Sequence, residues 1–386
     1  MDPKKFHKPF QNIVATTFSG EKPLPEGTYD FSIGDPDFST DETIIRYAFA
    51  KTLEEETHYG VPSGKKELKE AIVDFHNSRL GQNISINNVQ ITSSASHAMF
   101  LAMKALLDPG DEVILFAPYF ANYFDQITLN EGVPVIVNTH YENSFELVEE
   151  EIEAKITPKT KAIIFNNPAN PSGHLYSHKS LEILRRVAIR HDLIVCCDDI
   201  YTTYIYNGEV FETLANLPDM ASRCIQVRSF SKDSIMTGWR IGYLVADKEL
   251  IDVTKAINES IVYSPSVISQ NAAIAALANF DEIAKRVQNV YRIRLQTAFE
   301  EIQKSPYFDC LAIEGTFYIF MNIEKTGLSD KEFASYVLEN AHVKVFPGSL
   351  FGGEEYSRFV RLAINMGEKR IREAFAALNA LTYPGK

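Results

Sequence analysis

The chain has 386 residues, 45% of them hydrophobic and 23% charged, an ordinary globular composition with enough apolar material for two domains. Its net charge of -13 argues against nucleic acid or an anionic membrane as the main partner, since both favour a basic face, so any bound phosphate must be held by local donors. No apolar run approaches the roughly 20 residues of a membrane span, and the opening MDPKKFHKPFQNIV lacks the apolar stretch of a signal peptide, so the expected location is cytoplasmic.

The first residues contain several prolines and few periodic positions, and are expected to pack on the rest of the chain. From about residue 88 to 246, short apolar runs alternate with longer amphipathic ones. Strands are predicted at 89–92, 112–116, 133–137, 161–166, 193–198, 225–229 and 241–246. Most are apolar enough to be covered on both faces, which predicts an α/β fold with a mainly parallel sheet sandwiched by helices. After Thr92 come Ser93 to Ser96 and a helical run from His97; Asp108-Pro-Gly-Asp111 makes a sharp turn; Leu181, Leu184 and Ala188 recur at helical spacing behind the cap candidate Ser177. Residues 265–303 read as helical. The last third mixes short β-rich runs at 317–321, 343–346 and 359–364 with helices at 330–340 and 367–381, the pattern of a smaller α+β domain. The predicted division is a large domain over 46–285 and a small one from 1–45 and 286–386. Cys196, Cys197, Cys224 and Cys310 have no metal-type spacing and read as reduced core residues, and no metal is expected.

The stretch from Ser229 to Gly242, SFSKDSIMTGWRIG, carries the most chemistry. The amine of Lys232 suits condensation with an aldehyde as a Schiff base, while the hydroxyls of Ser229 and Ser231 and the fork of Arg240 suit a dianionic phosphate. Pyridoxal 5'-phosphate presents both groups. The plainer reading is a polar loop with one solvated lysine.

Such a cofactor also needs a carboxylate for its ring nitrogen, a donor for its ring oxygen, a stacking aromatic and a clamp for the substrate carboxylate. Asp198 ends the apolar run LIVCCD, where an acid is costly to bury without a cationic partner. A protonated pyridine nitrogen is such a partner, and Asp198 would keep the ring an electron sink; the alternative is an acid capping the loop after a strand. Tyr201, three residues on, is placed to reach the ring oxygen. In the loop from Asn166 to Gly173, Pro168, Pro171 and Gly173 stiffen the chain and present Asn170 at the sheet edge, although turn chemistry alone accounts for the prolines. Backbone N–H groups at Ala95 and Ser96 suit a phosphate at a helix start, or the serines are caps and nothing more. Phe120 suits stacking on a flat ring or core packing. Arg361, within the apolar run from Phe359 to Ile364, is explained by a substrate carboxylate in its fork or by an internal salt bridge. His97 is given no catalytic role.

Taken together and in this order, these motifs resemble the class I/II aminotransferases, pyridoxal-phosphate enzymes of fold type I, from about Gly34 to Arg361. The resemblance implies that Lys232 is the catalytic lysine, that Asn170 contacts the ring oxygen and the substrate carboxylate, and that Arg361 binds that carboxylate. Asp198 and Tyr201 match the family's Asp-x-x-Tyr, with Asp199 where Glu is common; Phe120 falls at the stacking aromatic; Val345 to Gly348 resembles the small-domain loop before the arginine. Gly34, in Ile-Gly-Asp-Pro-Asp-Phe, matches a glycine motif lining the substrate pocket. Tyr59-Gly60 matches a tyrosine that reaches the phosphate of the neighbouring subunit, which implies a homodimer with shared active sites. Two departures stand out: Ser94 replaces the glycine usual in the phosphate loop, and Ile235 stands where a small residue is usual.

The expected activity is ping-pong transfer of an amino group from an L-amino acid to a 2-oxo acid. A β-lyase would use the same lysine and aspartate but expel a side-chain group, and a non-catalytic cofactor-binding module is disfavoured by the joint presence of Lys232, Asp198 and Arg361. Between Arg240 and Arg286 there is no arginine to bind a side-chain carboxylate, which lowers the expectation for aspartate. The aromatics Phe18, Tyr59, Phe120 and Tyr123 suit a neutral or aromatic substrate side chain.

Overall fold

The computed structural model describes residues 24–54 and 56–385; Phe18 lies outside them. In chain order the elements are β1 (Tyr29–Asp30), α1 (Glu42–Leu53), α2 (Lys66–Arg79), β2 (Val89–Thr92), α3 (Ala95–Leu106), β3 (Glu112–Ala117), α4 (Asn122–Leu129), β4 (Val133–Asn138), α5 (Glu149–Glu153), β5 (Thr160–Asn166), α6 (His178–Arg190) and β6 (Ile194–Asp198). There follow β7 (Cys224–Ser229), α7 (Phe230–Asp233), β8 (Gly242–Val245), α8 (Lys248–Ile261), α9 (Val267–Ala278), α10 (Phe280–Lys304), β9 (Tyr318–Asn322), α11 (Asp330–Ala341), β10 (Val343–Lys344), β11 (Phe346–Pro347), β12 (Phe359–Ala363) and α12 (Glu368–Asn379).

All seven strands expected between 89 and 246 are present, and they form one sheet in the order β2-β8-β7-β6-β5-β3-β4. Pairing is parallel from β7 through to β4, whereas β8 runs antiparallel to both of its neighbours. Alternation along the central strands serves two cores. Ile163, Val195 and Cys197 pack with Leu181, Leu184 and Val187 of α6 on one face. Ile164, Cys196 and Val227 pack with Ala98, Leu101 and Ala102 of α3 on the other. Ser177 caps α6, its hydroxyl accepting from the Ser180 N–H. β4 is an edge strand with Val133 exposed, and Pro134, which has no N–H to donate, is suited to that position. The four cysteines are buried and unpaired.

Beyond the main sheet, α10 runs for 25 residues straight through residue 285. β9, β11 and β12 form an antiparallel sheet in the order β11-β12-β9, and β1 pairs in parallel with β10, tying the start of the described chain to its last third. One expectation needs correction: α3 starts at Ala95, not His97. The Ser94 hydroxyl accepts from the His97 N–H, which makes Ser94 the cap and puts Ala95 and Ser96 inside the first turn.

Candidate active site

The carboxyl ends of β2, β5, β6 and β7 lie on one edge of the main sheet, where β8 enters at Gly242, paired with both Thr92 and Ser229. Open α/β sheets bind ligands at this edge. A cavity of about 480 Å³ sits there and is lined by every predicted site residue except Tyr59.

One end of the cavity is an anion cradle. Ala95 and Ser96 open α3, and Ser229, whose hydroxyl accepts from the Ser231 N–H at 3.0 Å, opens the short α7 that carries Lys232. The two helix starts approach closely because of Gly242: a Cβ there would lie 2.8 Å from the Ala95 nitrogen, the Ser94 carbonyl carbon and the Arg228 oxygen. Arg240 completes the cradle, with Nη1 donating to the Thr237 carbonyl at 2.6 Å. Ile235 has φ +53, a left-handed conformation that is costly for a β-branched side chain, which gives a physical reason for a small residue at this position.

Asp198 also lines the cavity and is buried; its Oδ2 accepts from the Tyr123 hydroxyl while Oδ1 has no hydrogen-bond partner among the described residues. Burial pushes its carboxyl up to about 6, against the opposing pull of the Tyr123 hydroxyl, the Ile200 N–H and the Lys232 charge. The strand ends are cross-linked around it, since Asn166 Nδ2 and the Asn167 N–H both donate to the Asp198 carbonyl and Asn166 Oδ1 accepts from the Asn170 N–H. Tyr201 is buried, its hydroxyl 3.3 Å from that of Tyr318 and 3.5 Å from Asn170 Nδ2. Phe120 meets the Tyr123 ring edge-on at 5.5 Å on the cavity wall.

The third wall comes from the last third of the chain and from the segment after β1. Arg361, 3% exposed, donates from Nη1 to Asn170 Oδ1 at 3.1 Å and from Nη2 to the Ser32 carbonyl at 2.5 Å, while Nε has no hydrogen-bond partner among the described residues. Its guanidinium lies 4.5 Å from the centroid of Tyr318 and 4.8 Å from that of Phe351. Among the described residues it has no carboxylate partner, so the internal salt bridge considered above does not form. Lys232 Nζ donates to the Gly34 carbonyl at 2.6 Å. Gly34 must lack a side chain, because a Cβ would lie 2.0 Å from the Tyr318 hydroxyl.

These residues fit pyridoxal 5'-phosphate. Asp198 offers a buried carboxylate oxygen without a partner, the two helix starts and Arg240 offer donors for a phosphate, and Lys232 offers the amine. Sequence reasoning missed Tyr318 and gave Tyr123 a different role. Nothing local marks Tyr318 in the run Phe317 to Met321, and Tyr123 turns its hydroxyl to Asp198 instead of standing free for a substrate side chain. Tyr59 is outside the cavity, 85% exposed and edge-on to Tyr263 at 4.9 Å.

Over residues 26–378 the chain matches the family Aminotransferase class I and II. It is 33% identical over 358 residues to an asparagine-oxo-acid transaminase of Streptococcus mutans, covering 91% of this chain and 90% of that protein. It is 34% identical over 359 residues to an aspartate aminotransferase of Rhizobium meliloti, covering 90% and 87%. An aromatic aminotransferase from Pyrococcus horikoshii superposes with a TM-score of 0.89 at 31% identity, covering 92% of this chain and 96% of that one. With this sheet order, this cavity and these relatives, the chain belongs to the class I and II aminotransferases.

Proposed function

We propose that this aminotransferase moves an amino group from an L-amino acid to a 2-oxo acid in two half-reactions, with Lys232 holding pyridoxal 5'-phosphate as a Schiff base. The observation that carries the reading is one cavity lined by Lys232, Asp198 and Arg361, in which one Asp198 carboxyl oxygen and the Arg361 Nε are buried without a hydrogen-bond partner among the described residues. When bound, the cofactor withdraws electrons from the substrate Cα and so acidifies its C–H bond. Asp198 holds the proton on the ring nitrogen. Tyr201 and Asn170 stand for the ring oxygen, and Phe120 for the ring face. The phosphate falls to Ala95, Ser96, Ser229, Ser231 and Arg240. Arg361 and Asn170 would hold the substrate carboxylate, and Gly34 would leave the room for it, so that the Cα–H would point at the Lys232 amine, the base that would take up and hand back that proton.

The preferred donors are amino acids with an uncharged side chain. Asp35 lines the cavity, with Oδ1 accepting from Thr237 at 2.7 Å, and repels a second carboxylate. The relatives act on asparagine and aspartate by name, so these two are the informative pair. A cytoplasmic homodimer, with Tyr59 of each subunit completing the other's phosphate site, belongs to the same proposal. So does the division into a large domain over 46–285 and a small one from 1–45 and 286–386, joined through α10.

The test mixes the cofactor-loaded protein with single L-amino acids and no 2-oxo acid. Stoichiometric loss of the visible cofactor band, with the matching 2-oxo acid formed, is the expected result; continuous release of ammonia would make the enzyme a β-lyase. Lys232→Ala is expected to bind the cofactor yet lose turnover, and undiminished turnover would overturn the assignment.

A further inference from the structure

A second group of buried charges lies behind the cavity, and the roles above do not use it. Arg228 precedes Ser229 in β7, so strand alternation turns it to the opposite face of the sheet, beside Tyr243 of β8. It is 3% exposed. Its Nη2 donates to Thr202 Oγ1 at 2.7 Å and lies 3.9 Å from Asp233 Oδ2, and its guanidinium sits 5.5 Å from the centroid of Phe75 in α2. Thr202 Oγ1 donates in turn to Asp233 Oδ2 at 3.2 Å, and the Thr203 N–H donates to Asp233 Oδ1 at 3.4 Å. Asp233 directly follows Lys232 and ends α7.

The other titratable groups facing Arg228 are Asp199, His76 and Tyr243. Asp199 directly follows Asp198; burial pushes its carboxyl up to about 7, with the Arg228 charge opposing that rise. Burial and the Arg228 charge push His76 of α2 down to about 3, so it is neutral, held by Gln82 at 2.6 Å and the Tyr243 hydroxyl at 3.1 Å. Tyr243 keeps its proton, pushed up to about 12 by burial. Burial raises the Asp233 carboxyl too, again against the Arg228 charge, so Arg228 stands as a cation beside two buried carboxyl groups, each one residue along the chain from a predicted site residue.

From this geometry we infer that Arg228 is a positioning residue for Lys232: its Nη2 holds the Thr202 hydroxyl, which in turn holds Asp233 at the end of α7, and this relay sets where the lysine amine reaches, while its charge offsets Asp233 and Asp199 at the back of the site. Two effects follow, and they separate. The relay depends on the Nη2 donor arriving at Thr202 Oγ1 in a fixed direction, which the flexible ammonium of a lysine does not reproduce. The charge effect depends only on a cation being there, which a lysine does supply.

The inference rests on the assignment of Lys232 above, and the experiment keeps the two apart. The cofactor-loaded protein is titrated with pH by its visible absorption band, and kcat and KM are measured, for the unmodified chain, Arg228→Met and Arg228→Lys. Removing the buried cation makes protonation of the lysine-bound chromophore easier. Arg228→Met is therefore expected to move the band's midpoint up by about half a pH unit or more and to lower kcat about tenfold, with KM changed much less. Arg228→Lys is expected to restore the midpoint but not kcat. Equal midpoints and equal kcat in folded Arg228→Met and the unmodified protein would overturn the inference. If Arg228→Met does not fold, Asp233→Asn, which removes a negative charge and weakens the hold of Thr202 and Thr203 on the end of α7, is read in the same assays. A lower midpoint with reduced kcat is expected, and no change in either overturns the inference. Absence of a band that depends on Lys232 in the unmodified protein would instead sink the assignment of Lys232 itself.

Discussion

Asp198 carries a cost in stability that the proposed chemistry would explain. Burial raises its carboxyl from an ordinary 3.8 to about 6, which costs the cofactor-free fold on the order of 3 kcal/mol at neutral pH. The folded pKa lies above the unfolded one, so the native state holds more protons between pH 3.8 and about 6, and stability falls as pH rises through that window. Asp198→Asn removes the ionisable group. In the cofactor-free variant the thermal midpoint at pH 7.5 is expected to equal or exceed that of the unmodified protein, with the gap closing near pH 4, while turnover falls by at least about 100-fold. A variant less stable at both pH values would show Asp198 to be a cap on the strand end. The acid was legible in the sequence because an aspartate closing LIVCCD is anomalous at short range. Tyr123 was not, since nothing in Asn122-Tyr123-Phe124 tells which way the hydroxyl turns.

At the scale of elements, the loop that follows β5 is held in place by a histidine. His174 is 4% exposed, with Nδ1 2.7 Å from Glu314 and Nε2 3.2 Å from Glu146. Burial pulls its pKa down, but the two carboxylates outweigh that and the net shift is upward. The Gly315 N–H donates to the Gly173 carbonyl at 2.8 Å, so this loop, which carries Asn170, is docked on the segment leading to Tyr318. A raised histidine pKa contributes stability that is fully present below about pH 6.5 and is lost as pH rises through the folded value. Against the unmodified protein, His174→Gln is expected to lose about 1–3 kcal/mol at pH 6 by denaturant unfolding, and less at pH 9. Equal losses at both pH values would mean that the imidazole acts only as a neutral donor.

For the whole molecule, the exposed apolar side chains are unevenly spread. Phe49 and Leu53 of α1, Tyr59 and Val61 in the loop after it, and Ile261 and Tyr263 at the end of α8 are all more than 40% exposed. Large apolar exposure of this kind marks association surfaces, and Tyr59, the one predicted site residue outside the cavity, is among these residues. If Tyr59 completes a partner subunit's site as proposed, Tyr59→Phe is expected to weaken cofactor binding about threefold to tenfold while leaving the mass by sedimentation equal to that of the unmodified protein, a dimer in that proposal. Unchanged affinity in that dimer would leave Tyr59 a packing residue.

The sequence by itself determined the strand set of the main sheet to within a residue at each end and the cap at Ser177, and it singled out Lys232, Asp198, Asn170 and Arg361, which the fold brings to one cavity. These signals are carried by near neighbours: apolar runs, turn residues and polar groups out of keeping with their surroundings. Only the tertiary structure decided the antiparallel course of β8, the start of α3 at Ala95, the part played by Tyr318 and the direction of the Tyr123 hydroxyl. Apart from the α3 start, which the local Ser94 cap sets, these depend on contacts between segments far apart in the chain, as when Arg361 meets the Ser32 carbonyl across 329 positions. Local propensity carries no information about which distant backbone will arrive at a given side chain; packing of the two cores against the sheet settles that.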